Sequence, residues 1–241
     1  MANPSPLFYK KIVALNANTH KGYYLETAQN YKFAQNTNST YIAHIEFLKA
    51  SREYPIVFAT DNNKSVYPVV LLGLGKDQNL FIDKKGNWLG NYIPAYVRRY
   101  PFILATASEN DANLTICIDE EYSGFNKNKK GEKLFDSNNS HSQFLKNSIE
   151  FLREFNRHTH VTTAFCQSLQ KLNILEPMKL NMKTNDGKEI SMGGFMGVNR
   201  NKFKELPEKQ VYELLKTDQL ELIYMHLASL SNVEALMNRL E

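Results

Sequence analysis

The feature that most constrains the fold is an uninterrupted apolar run at residues 69–74, which reads VVLLGL. A strand with one solvated face alternates apolar and polar residues, whereas a continuous apolar run is typical of a strand buried on both faces. A second run, YPIVF at residues 54–58, precedes it by ten residues, and the polar segment DNNKS at residues 61–65 lies between the two. Because parallel crossovers need about a dozen residues or more, this short connection favours antiparallel strands at residues 56–59 and 66–74.

The rest of the first half predicts further strands and little helix. We expect a third strand at residues 80–82 and a strand pair at 102–106 and 114–118. A short strand is predicted at residues 31–33, and a helical stripe of apolar residues precedes Pro55. A short helix is predicted at residues 92–99, with Pro94 in its first turn.

The second half predicts mainly helices. A capping signature at residues 140–143 precedes apolar residues at helical spacing as far as Phe155. The segment HTHVTT at residues 158–163 is expected to weaken or break this helix, because β-branched residues are poor helix formers. Asn185-Asp186-Gly187 predicts a hairpin turn, and three helices follow Pro207.

We therefore predict an α+β fold, in which a mostly antiparallel sheet from the N-terminal half packs against helices from the C-terminal half. Residues 1–241 are expected to form a single domain, and the alternative of two lobes that meet near residues 124–139 stays open. That segment is interpreted as a solvated basic loop, with four lysines in the seven residues from Lys127 to Lys133.

Composition excludes several classes of protein. The net charge is only +4 and basic residues alternate with acidic ones, which argues against a nucleic-acid partner. The two cysteines, Cys117 and Cys166, are too few for a disulfide scaffold and are expected to be buried thiols. No signal peptide and no apolar run of about 20 residues is found, so no transmembrane segment is predicted and the cytoplasm is the default location.

Several spaced motifs occur in one order along the chain: Glu46-Phe47, YPIVF at 54–58, LLGL at 71–74, NLFID at 79–83, Gly86-x-Trp88, YIP at 92–94, RRYPF at 98–102, Gly194-Phe195 and His226-Leu227-x-Ser229-Leu230. On these residues the chain resembles the bacterial SapC family. The resemblance implies a link to bacterial surface layers or their export loci, and with it an association with the cell surface. It supplies no reaction, cofactor or catalytic residue.

Candidate catalytic and metal-binding patterns are weak. His44-x-Glu46 has the spacing of half an iron site, but residues two apart on a helix point about 200° away from each other. His158-x-His160 has ligand spacing only on a strand, and His226 lies among apolar residues. The sequence lacks a G-x-S-x-G elbow and a G-K-[ST] phosphate loop. We therefore predict no metal site and no cofactor, and the sequence favours a non-catalytic function over an enzyme.

The strongest polar candidate is the pair Arg98-Arg99 with its aromatic neighbours Trp88, Tyr92 and Tyr96. Arginine beside aromatic rings is a recurrent recognition surface, because a guanidinium forms bidentate hydrogen bonds and also stacks on rings. These five residues are the predicted binding site, for a carboxylate, a phosphate or a partner peptide. The alternative interpretation has one arginine solvated, the other in an internal ion pair and the tyrosines in the edge of the core.

Two functions follow. The first is a non-catalytic accessory protein with a protein partner, linked to surface-layer biogenesis or export. The second is an enzyme or small-ligand-binding protein with a pocket around residues 88–99.

Overall fold

The computed structural model describes residues 6–27, 30–106, 114–183, 187 and 189–240. Strands in these residues are β1 (Ile12–Ala14), β2 (Tyr24–Leu25), β3 (Ser39–Tyr41), β4 (Ile56–Thr60), β5 (Val66–Leu71), β6 (Phe102–Thr106), β7 (Leu114–Asp119), β8 (Phe125–Asn126), β9 (Glu132–Lys133), β10 (Leu175–Lys183) and β11 (Glu189–Val198).

The helices are α1 (Ala17–His20), α2 (Phe47–Ala50), α3 (Ala95–Arg98), α4 (Gln143–Lys171), α5 (Arg200–Lys204), α6 (Glu208–Lys216), α7 (Gln219–Ser229) and α8 (Asn232–Met237). Two 3₁₀ helices span Lys32–Ala34 and His44–Glu46. The first of them replaces the strand predicted at residues 31–33. In the described part of the chain, none of the helices has the length and apolar character needed to cross a membrane.

The strands form three antiparallel sheets with the orders β1-β7-β6, β10-β11-β4-β5-β3 and β8-β2-β9. The fold is therefore α+β, as predicted, with most strands in the N-terminal half and most helices in the C-terminal half. The predicted antiparallel pair is β4 and β5, which run from Ile56 opposite Val70 to Thr60 opposite Val66. Ile56, Val57 and Phe58 are fully buried, and the VVLLGL run lies in the same core.

Three further local predictions are wrong. Residues 80–82 do not form a strand, and only an isolated bridge joins Ile82 to Trp88. The basic segment 124–139 is not a plain loop, because β8 and β9 within it flank β2 on both sides. The segment HTHVTT does not break a helix, because α4 continues through it for 29 residues.

The threonine hydroxyls are accommodated within α4, whose continuity comes from the packing of its buried face against the core. Thr159, Thr162 and Thr163 each donate a hydrogen bond to the carbonyl four residues earlier, at 2.9, 2.6 and 3.0 Å. These bonds satisfy the hydroxyls without disrupting the backbone ladder. The helix begins at Ser142, whose Oγ accepts the backbone N–H of Leu145.

Strands β10 and β11 pair around the predicted hairpin, whose turn residues Asn185 and Asp186 lie outside the described residues. Their register shifts between Met178 and Leu180, so one extra residue of β11 bulges out. Gly194 lies at this bulge with φ of 90°, a conformation that favours glycine.

Two large apolar clusters and one small one make up the core. The largest contains β4, β5 and the C-terminal half of α4, through Phe165, Cys166 and Leu169. The second contains Phe102, Ile118 and the N-terminal half of α4, through Leu145 and Leu152. Both cysteines are free and buried, as expected, and burial raises the pKa of the Cys166 thiol to about 12. Whether these clusters correspond to two lobes stays a prediction.

Helix α7 completes the edge of β4 through its side chains. Val198 donates its backbone N–H to His226 Nε2 at 3.0 Å, so the imidazole carries its proton on Nδ1, which donates to the Ile56 carbonyl at 2.8 Å. Ser229 Oγ accepts the Ile56 N–H at 2.9 Å and donates to the His226 carbonyl. The His226-x-x-Ser229 motif is therefore a structural clamp on the backbone, since both side chains are buried and their hydrogen bonds are made.

Replacing His226 should destabilise the fold. The substitution His226→Ala leaves the Ile56 carbonyl and the Val198 N–H buried without partners, and we expect a loss of about 2–4 kcal/mol in the free energy of unfolding. Urea denaturation measures this loss, with His160→Ala on the exposed face of α4 as the matched control. A loss no larger than that of the control would contradict the clamp.

The same histidine should make stability depend on pH. Burial lowers the pKa of His226 from its usual 6.5 to about 4. The unfolded chain therefore binds a proton at a higher pH than the folded chain does. The stabilisation that the neutral imidazole provides is complete above pH 6.5 and is lost as the pH falls towards 4. At about 1.4 kcal/mol per pH unit it amounts to roughly 3 kcal/mol.

We expect the difference in unfolding free energy between the wild type and His226→Ala to decrease as the pH falls from 6.5 to 4, as measured by urea denaturation at each pH. A difference that stays constant with pH would show that the imidazole is not held neutral.

Candidate functional site

The structure separates the five predicted binding residues. Trp88 lies in a packed aromatic group, with its ring centre 6.2 Å from that of Phe81 and 5.7 Å from that of Tyr31. Its Nε1 donates to the Tyr54 hydroxyl at 3.1 Å, and that hydroxyl donates to the Tyr92 carbonyl. Trp88 thus helps to fix the chain before α3 and has its polar atom already satisfied.

Tyr92 and the start of α3 are held by the buried carboxyl group of Glu46. The Tyr92 hydroxyl and the Ala95 N–H both donate to Glu46 Oε1 at 2.7 Å, and the Ala43 N–H donates to Oε2 at 2.8 Å. Burial raises the pKa of Glu46, while these three hydrogen bonds act in the opposite direction. Glu46 therefore serves as an internal anchor for the segment that carries Tyr96 and Arg99.

The two adjacent arginines differ in exposure and in their aromatic neighbours, although both also line a smaller pocket of about 230 Å³ beside α4. Successive residues of a helical turn are about 100° apart, so neighbouring side chains diverge. Arg98 is exposed, donates through Nε to the Ile93 carbonyl at 3.0 Å and lies over the rings of Tyr92 and Phe151. Arg99 is half-buried, and its Cζ lies 3.8 Å from the centre of the Tyr96 ring and 5.2 Å from that of Phe155.

Arg99 and Tyr96 line a cleft with a volume of about 800 Å³. We call it the Arg99 cleft. It lies where β3, the edge strand of the five-stranded sheet, meets α3 and the middle of α4. Its characteristic lining residues are polar or aromatic: Thr40, Tyr41, Tyr96, Arg99, Phe155 and Asn156. This volume falls within the range of about 300–1,000 Å³ that is typical of ligand pockets.

The guanidinium of Arg99 forms no salt bridge with a described carboxylate. Within the described ranges, none of the ion pairs includes Arg99, and its buried Nε has no hydrogen-bond partner. A guanidinium stacked on a ring keeps its N–H groups in the ring-parallel plane, where they can meet an acceptor edge-on. The arrangement can therefore hold a carboxylate or a phosphate oxygen.

Two neutral polar groups beside Arg99 are also unsatisfied. Thr40 Oγ1 and the Tyr41 hydroxyl are buried and have no well-formed hydrogen bond to any described residue. The Tyr41 hydroxyl faces the hydroxyls of Thr159 and Thr162, and burial raises its pKa. Both oxygen atoms are inaccessible from the cleft, so they belong to the packing between β3 and α4 and do not form part of its binding surface.

The structure brings two of the candidate histidines together, but not as the sequence patterns suggested. The rings of His44 and His158 lie 5.1 Å apart, and His44 Nδ1 lies 3.3 Å from both the His158 carbonyl and Thr162 Oγ1. Glu46 points away to Tyr92 and Ala95. Across the residues that the structure describes, no group of three or more His, Cys, Asp or Glu side chains could hold a metal ion.

Sequence reasoning identified Tyr96 and Arg99 but missed the opposite wall of the cleft. Phe155 is one of the apolar residues at helical spacing in α4, and Asn156 and Tyr41 belong to no motif. Their proximity depends on α4 crossing near β3, which is a tertiary contact without a local signal. Binding by the full set Trp88, Tyr92, Tyr96, Arg98 and Arg99 stays a prediction.

Removing the anchor below the cleft should destabilise the protein. The substitution Glu46→Ala leaves the Tyr92 hydroxyl and the backbone N–H groups of Ala43 and Ala95 without an acceptor, and we expect a loss of about 2–4 kcal/mol in unfolding free energy. Fluorescence of Trp88, the one tryptophan of the chain, reports the transition. Glu150→Ala, which removes an exposed carboxylate of α4, is the control. Equal stability of the two variants would rule out the anchoring role.

Comparison with known proteins identifies the family. The model of the SapC family matches residues 15–236 of the 241-residue chain. No curated protein matches the chain significantly, and no solved structure does so either. Since the match covers nearly the whole sequence, the chain belongs to the SapC family.

Proposed function

We propose that this SapC-family protein acts by binding, and that the Arg99 cleft receives a small ligand with a carboxylate or phosphate group. One observation carries the proposal: a half-buried guanidinium, stacked on Tyr96, lines a cleft of about 800 Å³ and has no carboxylate partner among the described residues. Removing a charged group from water is costly unless an opposite charge or hydrogen bonds replace the water, so an anionic ligand completes the site.

A thermal-shift screen of carboxylate and phosphate metabolites tests the proposal. A ligand at one hundred times its dissociation constant stabilises a protein by about 2.7 kcal/mol, which corresponds to a rise of roughly 5–10 °C in melting temperature for a chain of this size. We expect the shift to vanish in Arg99→Gln and to weaken in Arg99→Lys, because lysine keeps the charge but loses the planar donor pair.

Two control variants sharpen this test. Arg153→Gln removes an exposed arginine of α4 and should leave the shift unchanged. Arg98→Gln asks whether the second arginine takes part, and a small effect is expected because its side chain points out of the cleft. The proposal is overturned if no anion stabilises the wild type, or if Arg99→Gln responds as the wild type does.

A role as an accessory protein in bacterial surface-layer biogenesis or export is a second proposal. It rests on what the SapC resemblance implies and on exposed apolar side chains that border a separate groove of about 500 Å³. In this groove Ile45, Leu48 and Val161 are 59%, 52% and 51% exposed. Exposed apolar side chains that lie together are typical of protein interaction sites, and the expected occupant is an apolar surface of a surface-layer or export component.

Fractionation and affinity capture from native cells test this second role. We expect the wild type to retain a protein identified as part of the surface layer or its export machinery, and Leu48→Asp to lose it. Lys49→Asp on the same short helix is the control for a change of charge alone. A protein found only in the cytosol, with no such partner, would refute the role.

A further inference from the structure

We propose that the ligand of the Arg99 cleft is a sugar acid, a ring with several hydroxyl groups and one carboxylate. This inference rests on the proposed function, because it names the class of anion that the cleft selects. Three features of the cleft support it: the balance of charge, the aromatic surface and the neutral polar groups.

The charge of the cleft suits a single negative charge. Arg99 and Lys76 contribute two positive charges to the lining, while Asp61 and Asp77 contribute two negative ones. Lys76, Asp61 and Asp77 are exposed and screened by solvent, which leaves the half-buried Arg99 as the main charge. A phosphate monoester carries a charge of about −1.5 to −2 at neutral pH, which is more than one guanidinium balances. A carboxylate carries one charge and matches the planar donor pair of one guanidinium.

Three aromatic rings line the cleft next to this guanidinium. The ring centre of Tyr41 lies 6.4 Å from that of Tyr96 and 5.9 Å from that of Phe155, and the last two are 6.4 Å apart. All three pairs are edge-to-face, so the three rings form a continuous apolar surface although their planes differ in orientation. A sugar ring carries C–H groups on its faces that pack against such a surface, while its carboxylate reaches Arg99.

The neutral polar groups suit ligand hydroxyls. The polar side chains of Asn36, Ser39 and Asn156 line the cleft. Each of these groups both donates and accepts, as a sugar hydroxyl does. A site of this kind discriminates strongly against an analogue that lacks the hydroxyls, because its own polar groups then remain unpaired.

Calorimetric titration with matched probes tests the inference on the full chain. The hexuronates glucuronate, galacturonate and mannuronate are each compared with their neutral sugars, which lack only the carboxylate. Cyclohexanecarboxylate keeps a ring and a carboxylate but lacks the hydroxyls, and inorganic phosphate tests the charge. We expect at least one hexuronate to bind tenfold or more tightly than its neutral sugar, cyclohexanecarboxylate and phosphate.

The variants assign this preference to the cleft. Arg99→Gln should reduce hexuronate affinity to that of the neutral sugar, and Asn156→Ala should reduce it severalfold while preserving the preference for the acid. Arg153→Gln should bind as the wild type does. Circular dichroism confirms that each variant is folded before titration.

The outcomes separate this inference from the proposed function. If cyclohexanecarboxylate or phosphate binds as tightly as the hexuronates and needs Arg99, the cleft is an anion site and the sugar-acid inference is wrong. If neutral sugars bind equally well, the inference is also wrong. If no hexuronate binds and the metabolite screen yields no anion, both fail together.

Discussion

The position of the cleft depends on one buried carboxyl group. Glu46 accepts hydrogen bonds from Ala43, Tyr92 and Ala95, and so joins the segment before α2 to the start of α3. Helix α3 has only four residues and could not hold its place by its own backbone bonds. Because Tyr96 and Arg99 lie within about one turn of Ala95, the guanidinium is positioned by a carboxyl group that does not line the cleft.

Much of the fold could be predicted from the sequence, because its strongest signals are local. The apolar runs that form β4 and β5 are long, adjacent and separated by a short polar turn, and Ser142 marks the start of α4. The prediction failed where the outcome depends on distant partners. Residues 124–139 look like a loop until β2, about a hundred residues earlier, provides a strand on which β8 and β9 pair. The threonines of α4 disfavour a helix by propensity alone, but the buried face of the helix packs against the core.

Only one side of the candidate site could be predicted from the sequence. An arginine pair among aromatic residues is visible in the sequence, and Tyr96 and Arg99 do lie together at a cleft. What the sequence cannot give is the direction of each side chain. One position along α3 separates an exposed Arg98 from a half-buried Arg99, and the residues across the cleft come from β3 and α4. The family membership adds a name for the chain, while the chemistry of the cleft rests on its own geometry.

The continuity of α4 has a mechanical consequence. Its N-terminal half is fixed in one apolar cluster through Leu145 and Leu152, and its C-terminal half in another through Phe165 and Leu169. This helix of 29 residues is about 44 Å long, and its packing at both halves restricts its bending. The cleft residues Phe155, Asn156 and Thr159 lie between the two packed halves of the helix. One wall of the cleft is therefore stiff, and adjustment to a ligand falls to the opposite side, at the turns around β3.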